Sequence, residues 1–459
     1  MNKKFTLFTI LFVLLFSVVL GQGTRVYGKA ENAAGYLIKL KTYSDFISLK
    51  MQEVDECVVQ QDGSFELKTT LTSTQIFMLV IGFQKSEIYL EPNKTYKLLI
   101  KYDKSREQIT FVNNPFLEYQ FIDLAKDDLN NQISEFNYRA DQFLVANFNR
   151  IYKNKERILI VDFGTEIQQL FKNPSGYLKV YIDFRLASLE LNSGLKNRES
   201  AYKAYMQNQP LYSHHDEYMR FFNQLFEKYL SVPNKYFDQT VLLQKIYGNA
   251  DLESILALLK KDPMLENSEF REMALLKILY DLYFIPSGNH DSILKLFDEI
   301  SKHTEISYHV QIAKSMVLQL NYLQPGTKMP TYTLQDLSGN SLNIPNQSNQ
   351  ATFIQFFTIP CNDCIREMDS IAELYQHYAK DVQFVSVGIN TPKNILNDLT
   401  KKYPWKFLFT GDVFKIAEIY QINTLPAYLL IDAQGVIRKN PALKPWIGFS
   451  LTFKSEFKH

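Results

Sequence analysis

Cysteine is scarce in this chain, with three residues in 459. So few cysteines exclude the multi-disulfide frameworks that hold many small secreted domains together. Glycine and proline are also sparse, at 17 and 16 residues, which excludes collagen-like and low-complexity chains. Neither sign of charge dominates, because 50 basic residues stand against 49 acidic ones and the net charge is +1. This balance predicts no nucleic-acid partner and no electrostatic attraction to an anionic membrane.

One long apolar run stands at the N-terminus, from Phe5 to Leu20, with two lysines before it and small residues after it. That pattern is typical of a secretory signal peptide, residues 1–21, cleaved near Gly21. The run is short for a membrane span, which needs roughly 20 residues. We therefore expect an exported protein, periplasmic in a double-membrane bacterium, with membrane contact only if the segment stays uncleaved.

Two of the three cysteines, Cys361 and Cys364, form a C-x-x-C pair between the apolar run 353–357 and the helix-like stretch 365–379. Unpaired backbone N–H groups and the positive end of a helix lower the pKa of a thiol placed there. The second sulfur, one turn along, can then close a disulfide. We therefore predict a redox-active dithiol, in which Cys361 attacks and Cys364 resolves.

A lone C-x-x-C pair can also be half of a zinc site. Structural zinc needs four ligands, and the sequence offers no second such pair and no histidine pair near it. His377 lies in an amphipathic helix pattern, while His214 and His215 stand beside Asp216 and Glu217. We interpret these histidines as polar surface, and we predict no metal and no other cofactor.

The sequence after the dithiol alternates between a strand, 382–388, and a helix, 392–402, which implies a parallel pair of strands. Pro426 stands directly before a buried-looking strand. A central strand rejects proline there unless the peptide bond bends the chain, so we predict a cis peptide between Leu425 and Pro426. Residues 432–435 indicate a hairpin between antiparallel strands. The predicted sheet is mixed, as in a thioredoxin domain.

From about residue 324 onward, the sequence resembles the TlpA-like branch of the thioredoxin superfamily, bacterial thiol–disulfide oxidoreductases of the cell envelope. The matching positions are the redox pair, the family's glutamate, the cis-proline and the hairpin: Cys361, Cys364, Glu367, Pro426, Asp432 and Gly435. The resemblance implies that the first four act in catalysis. It also implies disulfide-bearing envelope proteins as partners and a membrane protein as electron donor. Glu367 can relay a proton from Cys364, and an exposed helix charge is the alternative interpretation.

The sequence also departs from that family. Pro360 stands where tryptophan is usual, and an Asn-Asp pair separates the cysteines where Gly-Pro is common. The Asp363 carboxylate opposes thiolate charge, which favours a reductase, although an acid also suits a first helical turn. Two alternatives stay open: a redox-silent binding module on the thioredoxin scaffold, and a thiol peroxidase. Thr358, three residues before Cys361, suggests the peroxidase, but Ile354 stands where its upstream proline is expected.

The rest of the chain divides by its periodicity. Residues 22–113 switch between short apolar runs and turn signals, which predicts a small β-sandwich of the kind that precedes thioredoxin domains in many exported proteins. Residues 114–323 carry apolar positions at helical spacing. The helical pattern is clearest in four segments: 176–191, 217–230, 252–260 and 268–284. We predict a multidomain α+β chain that ends in a thioredoxin-like α/β domain over 324–459.

The third cysteine, Cys57, lies in a strand-like run ahead of the turn 61–64. A small buried thiol is the ordinary explanation for a cysteine in such a place. A regulatory partner for the dithiol is the alternative, and it requires that the first and last domains touch.

Overall fold

The computed structural model describes residues 23–107, 116–174, 176–285, 287–345, 350–410, 412–422, 424–442 and 444–445. The predicted signal segment, residues 1–21, lies outside these ranges. Within them, no helix combines the length and the apolar character that crossing a bilayer requires.

The N-terminal part of the chain forms two four-stranded sheets. Their strands are β1 (Thr24–Glu31), β2 (Leu37–Tyr43), β3 (Met51–Val58), β4 (Ser64–Thr69), β5 (Gln75–Ile81), β6 (Gln84–Leu90), β7 (Thr95–Lys101) and β8 (Glu118–Phe121). The strand orders are β4-β1-β7-β8 and β3-β2-β5-β6. Buried and exposed residues alternate along β2 and β7, and side chains from both sheets, such as Val26 and Leu40, share one core. The predicted β-sandwich is confirmed.

The central region is helical, as predicted. Its α-helices are α1 (Leu129–Phe148), α2 (Ile158–Leu170), α3 (Gly176–Asn192), α4 (Arg198–Tyr205), α5 (Asp216–Phe226), α6 (Gln239–Gln244), α7 (Leu252–Leu259), α8 (Ser268–Tyr283), α9 (His290–His303) and α10 (Ser307–Asn321). The helix predicted over 217–230 is shorter in the structure, because Lys228 adopts a left-handed φ of 49° after α5. One large core joins α5, α8, α9 and α10 and takes in Ile47 from a loop of the β-sandwich.

The expectation that His215 lies on a polar surface beside Asp216 and Glu217 is wrong, because all three residues are buried. Their exposed fractions are 6%, 4% and 1%. The His215 ring stacks on Tyr177 with ring centroids 4.0 Å apart. The Asp216 carboxylate accepts hydrogen bonds from the hydroxyls of Tyr177 at 2.6 Å and Tyr89 at 3.3 Å. These phenol donors come from α3 and β6, and they offset the cost of burying the carboxylate at the start of α5.

Cys57 is a free thiol, half-buried against the core of the β-sandwich, so the expectation of a buried thiol holds only in part. The reason is topological, because β3 is the edge strand of its sheet and Cys57 keeps one side open to solvent. Partial burial raises the pKa of the Cys57 thiol.

The C-terminal part of the chain contains the third sheet. Its elements are β9 (Tyr332–Asp336), β10 (Ser341–Ile344), β11 (Ala351–Phe357), α11 (Asn362–Tyr378), β12 (Val382–Ile389), α12 (Lys393–Lys402), β13 (Lys406–Thr410), α13 (Val413–Ile419), β14 (Ala427–Ile431) and β15 (Ile437–Lys439). The strand order is β10-β9-β13-β12-β11-β14-β15. Strand β12 runs parallel to β11 and β13, and the other pairs are antiparallel. The predicted mixed sheet is confirmed.

The first and last domains touch through α13. The Phe414 ring packs edge-on against Phe83, in the turn between β5 and β6, with centroids 4.6 Å apart. The ammonium of Lys41 on β2 lies 2.5 Å from the Glu418 carboxylate on the same helix. A cleft of about 660 Å³ opens beside this contact.

Candidate functional site

The dithiol lies where strand β11 passes into helix α11. Cys361 is the N-cap residue of α11, in an extended conformation with φ −154° and ψ 104°, and its sulfur accepts a hydrogen bond from the backbone N–H of Cys364 at 3.1 Å. The sulfur therefore occupies the place that a serine or aspartate oxygen takes at most helix starts. The helix end and its unpaired N–H groups favour negative charge on this atom.

The two cysteines form a disulfide, with their Cα atoms 5.3 Å apart. They differ in accessibility, because Cys361 is half-buried whereas Cys364 has no exposed surface. Of the two residues, Cys361 is thus the one that a substrate can approach. This asymmetry is what a dithiol with one attacking and one resolving sulfur requires.

Asp363 and Glu367 stand four residues apart on α11 but differ in burial. Asp363 is exposed and lies 2.6 Å from the guanidinium of Arg366. Glu367 is fully buried, so the alternative interpretation of Glu367 as an exposed helix charge is wrong. Its Oε2 accepts a hydrogen bond from the hydroxyl of Tyr428, and its Oε1 lies 3.6 Å from the ammonium of Lys444.

The peptide bond between Leu425 and Pro426 is cis, as predicted. It directly precedes β14, which pairs with β11 so that Ala427 lies opposite Phe356. Since β11 leads into the dithiol from the same end, this register places Pro426 beside the disulfide. One apolar cluster contains both cysteines together with Leu425 and Tyr428. The structure therefore brings the four predicted site residues into one region.

A group of buried polar residues next to the site was not predicted. It consists of Tyr428, Gln355, Ser386 and Trp405, on four different strands or strand edges of the sheet. Two sequence signals point to it in retrospect. Gln355 interrupts the apolar run 353–357, and Tyr428 stands two residues after the cis-proline in an otherwise aliphatic strand.

The described part of the chain contains no cluster of three or more histidine, cysteine or acidic side chains arranged for a metal ion. His377 and His214 are both exposed, as expected from the sequence.

Residues 325–440 match a family model described as the AhpC/TSA family. The C-terminal domain belongs to the thioredoxin superfamily. The matched segment includes both cysteines, Glu367 and Pro426. The β-sandwich and the helical region lie outside the matched segment.

Among curated proteins, the domain is similar to the thiol-disulfide oxidoreductase ResA of Bacillus cereus, with 27% identity over 117 residues. ResA of Bacillus subtilis is 24% identical over 119 residues. These alignments cover 25% and 26% of this chain, and 68% and 66% of the two relatives. The chain thus spans about two thirds of the length of these relatives.

Among solved structures, one similar chain is a putative thiol-disulfide oxidoreductase from Bacteroides vulgatus. It is 24% identical with a TM-score of 0.28, and the match covers 29% of this chain and 98% of that one. The predicted class of the C-terminal domain, that of the thiol–disulfide oxidoreductases, is confirmed by the curated relatives.

Proposed function

We propose that this protein is an exported reductase of protein or small-molecule disulfides that acts through Cys361 and Cys364. The observation that carries the proposal is the disulfide at the start of α11, with one half-buried and one buried sulfur. The cis-proline Pro426 stands at the end of β14 nearest the dithiol, and the backbone there offers an edge against which an extended substrate segment can lie.

In the proposed cycle, the Cys361 thiolate attacks one sulfur of a substrate disulfide, and the other substrate sulfur leaves as a thiolate. Cys364 then loses its proton and attacks the Cys361 sulfur. The mixed disulfide breaks, the second substrate sulfur leaves, and the Cys361–Cys364 disulfide forms. Two electrons have passed to the substrate, whose two thiolates take up protons.

The direction of electron flow is the finer part of the proposal. A carboxylate at Asp363 disfavours thiolate nearby, and a less stable reduced form makes a stronger reductant. The ion pair with Arg366 offsets part of that charge, so we assign Asp363 a modest effect on the potential.

The proposal also includes export and the protein's partners. The signal pattern over residues 1–21 supports export. The balanced charge, and a single C-x-x-C pair kept for chemistry, suit an oxidising compartment such as the periplasm. The substrates are disulfide-bearing envelope proteins. A membrane protein supplies the two electrons that reduce the Cys361–Cys364 disulfide after each turnover.

Insulin reduction tests the activity directly. With a dithiol donor, the wild-type protein should accelerate the precipitation of insulin chains, whereas Cys361→Ser should remain at the donor-only rate. A classical thioredoxin serves as the positive control. Equal inactivity of wild type and variant, beside an active control, refutes the proposal.

Trapping identifies the substrate. Cys364→Ala leaves the mixed disulfide unresolved, so a covalent complex with the partner should accumulate in cells and disappear on reduction. Cys361→Ser/Cys364→Ala is the matched control, because it keeps the fold but has no attacking sulfur. Absence of any complex above this control favours the redox-silent binding module.

A further inference from the structure

Tyr428 contacts Glu367 from the strand that follows the cis-proline. The residue is buried on β14 and lies opposite Gln355 of β11 in the antiparallel register. Its ring stacks on Phe353, with centroids 5.4 Å apart and planes inclined by 13°. Its hydroxyl donates to Oε2 of Glu367. The stacked ring fixes the hydroxyl, so the hydrogen bond holds the carboxylate in one orientation.

The two oxygens of Glu367 are therefore different. Oε2 is occupied by the Tyr428 hydroxyl, whereas Oε1 is buried and has no hydrogen-bond partner among the described residues. The ammonium of Lys444 lies 3.6 Å from Oε1. An incompletely satisfied buried carboxylate oxygen is costly, and a proton relieves that cost. Cys364 lies three residues earlier on the same face of α11, the spacing at which helical side chains are neighbours.

Tyr428 borders a buried polar network inside the sheet. The Trp405 indole N–H donates to the Ser386 hydroxyl at 2.9 Å, and that hydroxyl donates to the side-chain oxygen of Gln355 at 2.9 Å. All three residues are buried. Buried hydrogen-bonded networks hold their members in one arrangement, so the surface on which Tyr428 packs is preorganised.

We propose that Tyr428 is a positioning residue for the resolving step: it holds Glu367 by one oxygen so that the other receives the proton of Cys364. The inference rests on the proposed function and specifies how its second half proceeds. The S–H bond of Cys364 breaks and its proton passes to Oε1. The Cys364 sulfur attacks the Cys361 sulfur, and the substrate sulfur leaves with the electron pair of the broken mixed disulfide.

Among the residues that the structure describes, the titratable groups that face Glu367 are Tyr428 from β14, Lys444 from the segment after β15, and Cys364 on its own helix. Burial, together with the neighbouring carboxylate, raises the pKa of Tyr428, so the phenol remains a hydrogen-bond donor at physiological pH.

The test uses the reduced full-length protein in a Cys57→Ser background, which leaves Cys361 and Cys364 as its two thiols, and the aromatic disulfide dithiobis-nitrobenzoate, whose thiolate product is coloured. In a stopped-flow experiment, attack by Cys361 releases the first coloured thiolate and resolution by Cys364 releases the second. In Tyr428→Phe, the first phase should be unchanged. The pH midpoint of the second phase should move up by about one unit or more, because a hydrogen bond to a charged group is lost.

Two further variants separate positioning from packing. Tyr420→Phe removes another buried phenol of this domain, which donates to the backbone carbonyls of Pro330 and Ile344, and should leave both phases unchanged. Glu367→Gln should slow the second phase by roughly 100-fold, and adding Tyr428→Phe to it should change nothing more.

The outcomes separate the two proposals. A wild-type protein without a first phase has no reactive Cys361, and the proposed function itself fails. A normal first phase with the same second-phase pH profile in wild type and Tyr428→Phe overturns the role of Tyr428 and leaves the proposed function intact.

Discussion

Glu217, at the start of α5, is a buried carboxyl that its surroundings do not fully neutralise. Its side chain is 2% exposed, and Oε1 lies 3.3 Å from the Arg220 guanidinium. Oε2 has no hydrogen-bond partner among the described residues. Burial raises the pKa of Glu217 to about 7; Arg220 opposes that shift and Asp216 adds to it. The Glu217 carboxyl therefore titrates near neutral pH within the interface between the β-sandwich and the helices.

Glu217 should make stability depend on pH. Its pKa in the folded protein exceeds the ordinary value of 4.5, so between these two pH values the folded protein binds more protons than the unfolded chain. The free energy of unfolding therefore falls as pH rises through this window, by roughly 3 kcal/mol at about 1.4 kcal/mol per unit. Glu217→Gln should remove the fall, so its stability relative to wild type should be higher at about pH 8 than at about pH 5.

Urea unfolding followed by helical circular dichroism measures both values. Glu227→Gln, at the exposed end of the same helix, is the matched control and should change stability by less than about 0.5 kcal/mol at either pH. A wild-type-to-Glu217→Gln difference that is the same at both pH values contradicts the prediction.

At the scale of one element, the periodicity of helix α11 determines which of its side chains are buried. Its buried residues are Cys364, Glu367, Met368 and Ile371, at positions i, i+3, i+4 and i+7. Asp363 is exposed in the first turn, beside the N-terminal sulfur. The sequence predicts the helix and its start because both are local patterns. It does not predict the depth of burial of Glu367, because strand β14 and the segment after β15 cover that residue.

Asp363→Asn should make the Cys361–Cys364 disulfide a slightly stronger oxidant. Removing a negative charge from the first turn stabilises the nearby thiolate, and hence the reduced form. Single charges at a helix end are worth about 0.3–1 kcal/mol, which corresponds to roughly 6–20 mV for this two-electron couple. Equilibration with glutathione buffers measures the potential. The matched control is Asp398→Asn, at an exposed position on α12, and it should leave the potential unchanged. A more negative potential in Asp363→Asn would contradict the prediction.

At the scale of the whole molecule, the three regions are packed against one another. The helical region surrounds the loop between β2 and β3. The side-chain amide of Asn223 donates to the carbonyl of Phe46 in this loop at 2.7 Å. The side-chain amide of Gln311 donates to the carbonyl of Ser44 at 2.9 Å. The thioredoxin-like domain contacts the β-sandwich through Phe414. These contacts therefore constrain the orientation of the domain that contains the dithiol.

Phe414→Ala should loosen the contact between the first and last domains. Truncating a half-buried phenylalanine should cost about 2 kcal/mol, less than the roughly 3–5 kcal/mol typical of fully buried aromatic residues. Hydrogen exchange should therefore increase both in the turn between β5 and β6 and in α13. Lys41→Gln, which breaks only the neighbouring ion pair, is the control and should cost less than about 1 kcal/mol. Unchanged exchange in Phe414→Ala would show that the domains are held together elsewhere.

The sequence alone determined the position of the dithiol between a strand and a helix, the cis peptide before Pro426, and the succession of β-sandwich, helices and mixed sheet. These features depend on neighbouring residues, whose spacing and backbone preferences are local. Only the tertiary structure decided that Tyr428 meets Glu367, 61 positions away, and that His215 to Glu217 lie buried. Burial and pairing of this kind depend on which distant segment covers a residue, and that is set when the whole chain packs.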